Sequence, residues 1–212
     1  MQFNPLNFVA PTEFVELPSK GIAYPDGHPL CGVDTIEIRY MTAKDEDILT
    51  SQTLLKKGLA VERFLENIIL DKTIDTKTLL IGDKNAILVA ARASGYGCDY
   101  EATLTCPECE KNNKVMFDLS NPTIVGDLSN IEQDIIRKVE AGKYITKMPL
   151  SKFNVEFRLM NGEDELILTE ILKDTSRESE ENLLTTQFKR LIMSIEGHSE
   201  QHIIDQYVEN MP

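Results

Sequence analysis

The spacing of apolar residues predicts a mixture of strands and helices along the chain. Ile36, Ile38 and Tyr40 alternate with polar residues and predict a strand over 34–41. Thr42-Ala43-Lys44-Asp45 has the form of a capping box and predicts a helix that ends near Gln52. Helical spacing then predicts helices over 59–69, 83–95, 131–139, 161–172, 184–195 and 199–208, with short strands over 144–150 and 154–160. No internal repeat is recognised in this pattern.

The central stretch from Gly95 to Asp118 predicts a β-hairpin. Its tip is the turn Cys106-Pro107-Glu108-Cys109. Apolar residues repeat with period two on both sides of the tip, at Tyr100, Ala102, Leu104, Val115, Phe117 and Leu119. A Cys-x-x-Cys turn between two strands is typical of a zinc knuckle.

These elements predict an α+β protein with a helical N-terminal half, a central hairpin carrying the Cys-x-x-Cys turn, and short strands followed by a helical C-terminal half. Residues 1–33 are rich in proline and glycine and are interpreted as an extended arm. Residues 34–96 form a strand and helical subdomain, 97–122 the hairpin, and 123–212 the strands and C-terminal helices. The last segment is expected to form one compact unit with 34–96.

The composition places the chain among globular proteins. Of 212 residues, 42% are hydrophobic and 27% are charged, and the formal net charge is −13. Because phosphate binding needs clustered Lys and Arg, this charge argues against a nucleic-acid partner and permits a basic one. No apolar run reaches the length of a membrane span, and no secretion signal is recognised at the N-terminus. Four cysteines without a signal indicate a reducing compartment.

Cys106 and Cys109 are the strongest candidates for metal ligands. A structural zinc ion needs four ligands, usually as two pairs, and His28-Pro29-Leu30-Cys31 has the same spacing as Cys106-Pro107-Glu108-Cys109. The sequence therefore predicts one structural zinc site from Cys106, Cys109, Cys31 and His28. The alternative is a tight turn that binds no metal. Cys98 is a poorer ligand because a strand of roughly 26 Å separates it from Cys106.

Catalytic patterns are weak. The hairpin setting of the cysteine pair differs from the helix start of thioredoxin-like proteins, which disfavours a redox role. The acidic residues Asp45, Glu46 and Asp47 are interpreted as favourable charges in a first helical turn. No nucleophile, base and oxyanion donor occur together, and the chain is predicted not to be an enzyme. The rival hypothesis is a small zinc-dependent or redox enzyme that uses Cys106 and Cys109.

Several segments resemble the T-even-type bacteriophage baseplate hub assembly family, over about 14–212. They are Leu17-Pro18-Ser19-Lys20-Gly21-Ile22-Ala23-Tyr24-Pro25, Thr42 to Leu49, Ala90-Ala91-Arg92, Gly95-Tyr96-Gly97, Tyr100, the Cys106 to Cys109 turn, and Ser194-Ile195-Glu196-Gly197. The sequence departs from the family at Glu110, where glycine is common.

The resemblance implies a late protein that acts as a chaperone or component in assembly of the baseplate hub of a contractile tail. It implies hub or tape-measure proteins as partners, assembly in the host cytoplasm, and a place in the virion tail baseplate if the protein is retained. Transient chaperone, permanent component and homo-oligomer all stay open at this point.

Overall fold

The computed structural model describes residues 10–123, 136–140, 142–173 and 183–211. Helices in these residues are α1 (Ala43–Thr50), α2 (Gln52–Lys57), α3 (Ala60–Ile68), α4 (Ile81–Tyr96), α5 (Gly162–Lys173), α6 (Leu183–Leu191) and α7 (Gln201–Glu209). Strands are β1 (Thr12–Glu16), β2 (Thr35–Arg39), β3 (Asp99–Thr105), β4 (Asn112–Asp118), β5 (Ile136–Glu140), β6 (Lys143–Lys147), β7 (Asn154–Arg158) and β8 (Ile192–Ile195). The predicted α+β class is confirmed.

The described chain groups into two compact units. The first holds residues 10–17, 35–72 and 85–123, and the second holds 18–34, 73–84 and the described residues from 136 onward. The first unit contains two antiparallel pairs, β1–β2 and β3–β4, whereas the second contains an antiparallel sheet of order β5-β6-β7-β8. The four segments predicted from the sequence stay a prediction.

Each unit has its own apolar core. In the first, Ile36 and Ile38 of β2 are buried together with one face of α3, contributed by Phe64, Leu65 and Ile68. In the second, Val155 of β7 clusters with Ile192, Ile195, Ile204 and Val208. Burial of such side chains contributes about 1.5–3 kcal/mol each, so these clusters account for much of the stability of each unit.

Two helices predicted from apolar spacing are wrong in part. Residues 184–195 were expected to form one helix, but α6 ends at Leu191 and Ile192–Ile195 pairs with β7 as β8. The helix expected over 131–139 lies partly outside the described residues, and its described part is the strand β5. Both segments carry β-branched residues at spacings that fit a helix or a strand, and the neighbouring strands provide the hydrogen bonds that favour a strand.

The chain contains two copies of one strand–helix arrangement, so the expectation of no internal repeat is wrong. Ile36 to Ser51 aligns with Val155 to Glu170 without a gap. Identical pairs are Glu37/Glu156, Arg39/Arg158, Met41/Met160, Asp45/Asp164, Glu46/Glu165, Ile48/Ile167, Leu49/Leu168 and Thr50/Thr169. We call β1, β2, α1 and α3 the first module, and β6, β7, α5 and α6 the second module.

The pairing of strands repeats as well. Thr12 of β1 lies opposite Arg39, and Lys143 of β6 lies opposite Arg158. After α3, Ile69 bridges Ile38 in antiparallel fashion, and after α6, Ile192 pairs with Phe157. The two modules therefore share the order of two strands, two helices and a returning segment, which is the bridge residue Ile69 in the first module and strand β8 in the second.

Candidate functional site

The β3–β4 hairpin presents an apolar face that the described residues leave largely uncovered. The register places Tyr100 opposite Phe117 and Ala102 opposite Val115, with Leu104 on the same side. Tyr100, Leu104 and Phe117 are 42%, 49% and 41% exposed. We call Tyr100, Ala102, Leu104, Val115 and Phe117 the hairpin face. The period of two seen in the sequence is confirmed.

The hairpin makes few contacts with other elements. Its two strands pack mainly against each other. At its base, the Arg92 guanidinium lies 4.8 Å from the Tyr96 ring centroid and 5.6 Å from that of Tyr100, and it donates to the Gly97 carbonyl. An isolated two-stranded hairpin is marginally stable in water. A surface that covered the hairpin face would therefore stabilise the hairpin.

The cysteine turn closes the hairpin with defined hydrogen bonds. The Cys106 N–H donates to Lys111 O at 2.9 Å, and the Glu110 N–H donates to Cys106 O at 2.9 Å. Glu110 adopts φ = 55°, the left-handed conformation that favours glycine. The backbone N–H of Cys109, and then that of Glu108, hydrogen-bonds the Cys106 sulfur and lowers the pKa of this thiol. The turn thus favours a thiolate, the form that binds metal.

The other predicted ligand pair lies in the second unit. His28 stacks on Tyr24, with ring centroids 4.4 Å apart. Its Nε2 lies 2.8 Å from Thr78 Oγ1, and its Nδ1 accepts a hydrogen bond from the Leu30 N–H. Burial lowers the pKa of His28, which is consistent with a neutral ring that accepts at Nδ1. A metal ion on His28 would have to displace one of these two partners.

Cys31 is exposed, as is Cys109, whereas Cys98 and Cys106 are half-buried. All four are free thiols. The seven-residue strand β3 separates Cys98 from Cys106, as expected. Among the described residues, no group of three or more His, Cys, Asp and Glu side chains is placed to hold a metal ion. The four-ligand zinc site stays a prediction.

Sequence reasoning missed a buried ion pair that occurs once in each module. Arg39 binds Asp45 through both terminal nitrogens, at 2.6 and 2.8 Å, and Arg158 binds Asp164 at the same two distances. Each arginine also donates to the carbonyl of the next residue, Tyr40 or Leu159. We call this arrangement the Arg–Asp corner. It joins the end of a strand to the first turn of the following helix.

The cap residue and the second helix complete each corner. Thr42 donates its N–H to Asp45, and Asn161 donates its N–H to Asp164. The following helix adds one more hydrogen bond in each module. The Asn67 amide of α3 donates to Asp45 at 3.2 Å, and Arg190 Nε of α6 donates to Asp164 at 3.1 Å. Both aspartates are almost fully buried. The shared spacing Arg-x-Met-(Thr/Asn)-x-x-Asp is the signal that could have revealed these corners.

Burial alone would raise the pKa of both aspartates. Hydrogen bonds from Arg39 and Thr42 outweigh burial at Asp45, and those from Arg158 and Asn161 outweigh it at Asp164. The pKa of each carboxyl therefore lies below its usual range. Asp45, interpreted from the sequence as a helix-dipole charge, is instead a buried anion held by a guanidinium.

A third buried carboxylate, that of Asp83, holds the Leu17-Pro18-Ser19-Lys20-Gly21 segment. Asp83 accepts from the N–H and hydroxyl of Ser19, at 2.9 and 2.6 Å, and from the Tyr24 hydroxyl at 2.8 Å. Asp83 lies inside the first turn of α4, which begins at Ile81, two residues before the predicted start of this helix. Burial, and then the Asp83 charge, raises the pKa of Tyr24. These bonds fix the loop between β1 and β2.

An open cavity of ≈ 400 Å³ in the second unit is lined by Tyr24, His28, Thr78, Arg158 and Glu163, among others. The first four of these side chains hydrogen-bond to other protein groups. Their arrangement supports the wall of the cavity and places no free nucleophile beside a free base. The cavity is therefore a weaker candidate site than the hairpin.

Comparison with known proteins identifies the family. A family model described as T4 bacteriophage base plate protein matches residues 10–212. The chain belongs to this family. A search of curated proteins and a search of solved structures each found no match.

Family membership makes the protein a bacteriophage baseplate protein, which interacts with other baseplate proteins in the tail of the virion. A baseplate role favours structure over catalysis. In the described part of the chain, no helix combines the length and hydropathy needed for a membrane span.

Proposed function

We propose that this baseplate protein acts in hub assembly, as an assembly factor or as a hub component, by binding hub or tape-measure proteins. The observation that carries the proposal is the exposed hairpin face. A hairpin of this kind gains stability when its apolar side is buried against another surface. Binding to a neighbouring protein would couple ordering of the hairpin to assembly. We further propose that this happens in the host cytoplasm.

Charge favours a basic partner for the hairpin. Asp99, Glu101, Glu108, Glu110 and Asp118 outnumber Lys111 and Lys114 on these strands and their turn. The whole chain carries a formal net charge of −13. Complementary potentials steer association and disfavour partners of like charge. A second copy of the chain is therefore a poorer fit than a basic protein, and homo-oligomerisation is the weaker form of the proposal.

The test is co-expression of the full chain with each hub and tape-measure protein of the same phage, followed by affinity measurement. Replacing Leu104 and Phe117 with threonine keeps strand propensity and removes apolar area, so we expect at least about tenfold weaker binding. The matched control is Leu150→Thr, an exposed apolar residue that is 70% exposed and lies outside the hairpin. If the control weakens binding equally, the hairpin face is not the binding surface.

Two further results decide the role. If no hub or tape-measure protein binds the unsubstituted chain, the hub proposal is overturned. If binding occurs, mass spectrometry of purified particles distinguishes the two forms, because a component is present in the virion and an assembly factor is absent. Deletion of residues 1–16 is a poor test of binding, because it also removes β1, in which Val15 is buried.

We also propose that the cysteine turn holds one structural zinc ion with Cys106 and Cys109 as ligands, whereas Cys31 and His28 stay ligands predicted from the sequence. The N–H groups directed at Cys106 support this proposal. Native mass spectrometry of protein expressed in medium with zinc should show the mass of one bound zinc ion. A chelator should remove this ion and lower the thermal stability of the protein. The double variant Cys106→Ser, Cys109→Ser should bind no zinc, and Cys31→Ser should bind zinc more weakly. A metal-free stable protein would overturn the zinc site. If the double cysteine variant kept its fold but lost a measured catalytic turnover, that result would favour the rival hypothesis of a zinc-dependent or redox enzyme.

A further inference from the structure

The two modules differ at one edge of their sheets. In the second module, β6 is paired on both sides, with β7 and with β5. In the first module, β1 corresponds to β6 and is paired, within the described residues, with β2 alone. An open edge of this kind presents unpaired backbone groups that can accept another strand.

The hydrogen-bond register shows which groups point outward. The Tyr40 N–H donates to Pro11 O, so pairs bonded across β1 and β2 fall at Pro11, Glu13 and Val15. The N–H and C=O groups of Thr12, Phe14 and Glu16 therefore point away from β2. The equivalent residues of β6 are Lys143, Ile145 and Lys147, since Lys143 lies opposite Arg158 as Thr12 lies opposite Arg39. Ile145 pairs with Arg137 of β5.

Side-chain exposure differs in the same way. Phe14 is 71% exposed, the largest value among the exposed large apolar residues of the described chain, whereas the equivalent Ile145 is half-buried beside β5. An exposed phenyl ring beside unpaired backbone groups adds apolar area that a docked strand would bury. The edge of β1 thus has both the backbone groups and the apolar side chain of a strand-docking site.

The chemistry of the occupant follows from charge and from β5. Glu37 lies opposite Phe14, and Glu16 lies on the same side. One carboxylate oxygen of Glu13 is enclosed and has no hydrogen-bond partner among the described residues. Glu13 corresponds to Tyr144, which lies opposite Lys138 of β5. The strand that occupies this edge in the second module reads Ile-Arg-Lys-Val-Glu, which combines apolar and basic residues.

We propose that the outer edge of β1 binds an antiparallel strand of a partner protein in which apolar and basic residues are combined. In the register of β5 against β6, a lysine of that strand lies opposite Glu13 and an arginine lies opposite Phe14, whose ring its aliphatic stem covers. Opposite charges placed across a strand pair stabilise it, and like charges destabilise it. This surface is separate from the hairpin face, so either proposal can fail without the other.

The test uses the full chain labelled with ¹⁵N and a synthetic peptide with the β5 sequence, Asp-Ile-Ile-Arg-Lys-Val-Glu-Ala. We expect shifts of the amide signals of Thr12, Phe14 and Glu16, and hydrogen exchange at these amides slowed by about tenfold or more. A peptide with glutamate in place of its Arg and Lys should bind at least about tenfold more weakly, since it meets Glu13, Glu16 and Glu37.

Phe14→Pro removes an outward N–H and leaves the bonded pairs at Glu13 and Val15 intact, so it should abolish peptide binding. Phe14→Ile is the matched variant, because it keeps the N–H and copies Ile145, and it should retain binding. The proposal would be overturned if both variants still bound the peptide. It would also be overturned if both lost binding while their amide spectra showed a normal fold.

Four other outcomes would overturn it. The peptide could leave the amide signals of β1 unchanged, or the charge-reversed peptide could bind equally well. The amide shifts could be confined to Lys143 and Ile145, or the peptide could bind only after residues 2–9 are deleted. Self-association of the unsubstituted chain that Phe14→Pro abolishes would assign the edge to a second copy instead.

Discussion

The two modules keep the same corner and differ in the loops and sheet edges attached to it. In each, an arginine at the end of a strand binds an aspartate in the first turn of the next helix, with matching distances. The hairpin loops differ, since 17–34 joins β1 to β2 whereas 148–153 joins β6 to β7. The corner is retained because its buried charges tolerate little change, and the loops and edges are free to acquire separate contacts.

The modules also differ in how far their sheets extend. The second lies in a four-stranded sheet, while the first has two strands and the single bridge of Ile38 to Ile69. A sheet gains stability from added strands, so the first module is the one with more to gain from a partner. This comparison leads from an internal repeat to the proposed docking edge.

Breaking the corners should have the largest effect. Asp164→Asn leaves Arg158 and Arg190 without their buried anion, so we expect a loss of about 3–5 kcal/mol in the free energy of unfolding. Asp45→Asn should cost less, because its second-helix partner, Asn67, is uncharged. Urea unfolding followed by circular dichroism measures both. Asp47→Asn, an exposed neighbour in α1, is the control and should stay within about 0.5 kcal/mol. Equal stability of Asp164→Asn and the control would show that the corners are unimportant.

Acid should weaken both modules through the same groups. The pKa of Asp45 and that of Asp164 are lower in the folded protein than in the unfolded chain, so the unfolded state binds protons at higher pH. Their contribution is complete above a pH of about 5 and is lost as the pH falls towards the folded values. We expect the free energy of unfolding to fall steadily between pH 5 and pH 2, as the unfolded chain binds protons at these two carboxyls.

Unfolding free energies measured across this range check the prediction. The variant with both Asp45→Asn and Asp164→Asn should show a flatter acid limb than the unsubstituted chain. An unchanged slope would mean that other carboxylates control acid unfolding.

The loop that distinguishes the first module should depend on Gly21. This residue has φ = 69°, and a Cβ there would lie 2.3 Å from the backbone nitrogen of Val33. Gly27 has φ = 85° but no atom within 4 Å of a Cβ. Gly21→Ala should therefore cost about 1–3 kcal/mol more than Gly27→Ala, measured by thermal and urea unfolding. Similar costs would show that the loop yields easily around Gly21.

The smallest effect is expected at Tyr144, where burial raises the hydroxyl pKa. Its hydroxyl is enclosed and has no hydrogen-bond partner among the described residues. Since removing an unsatisfied buried hydroxyl costs little, Tyr144→Phe should change the free energy of unfolding by less than about 1 kcal/mol or increase it. Tyr24→Phe is the contrasting variant, because its hydroxyl donates to Asp83, and it should cost more. A larger loss at Tyr144 would indicate a bonded hydroxyl.

Local patterns predicted the elements whose neighbours lie nearby in the chain. The hairpin of β3 and β4 followed from apolar alternation around a tight turn, and Asn161 accepts the Asp164 N–H as expected for a helix cap. The hairpin face was visible for the same reason, since both strands lie within one short segment. Such signals depend on backbone geometry and on contacts a few residues apart.

Long-range contacts decided the remainder. Ile192–Ile195 continues the apolar spacing of α6, yet it forms a strand because β7 offers backbone partners there. The Arg–Asp corners escaped notice because an arginine and an aspartate six residues apart also occur on solvated surfaces, and burial alone distinguishes the two cases. The repeat escaped notice because the aligned stretch is short, at sixteen residues, and the hairpin lies between the two copies.

The sequence by itself determined the α+β class, the position of the cysteine turn and the resemblance to a baseplate family that the family model confirms. These depend on local periodicity, turn chemistry and ordered motifs. Only the tertiary structure decided that Asp45 and Asp164 are buried anions and that, within the described residues, β1 is paired on one side where β6 is paired on both. Both properties arise from which distant segments pack together, and the free energy of burying a charge or leaving a strand unpaired is set by those neighbours.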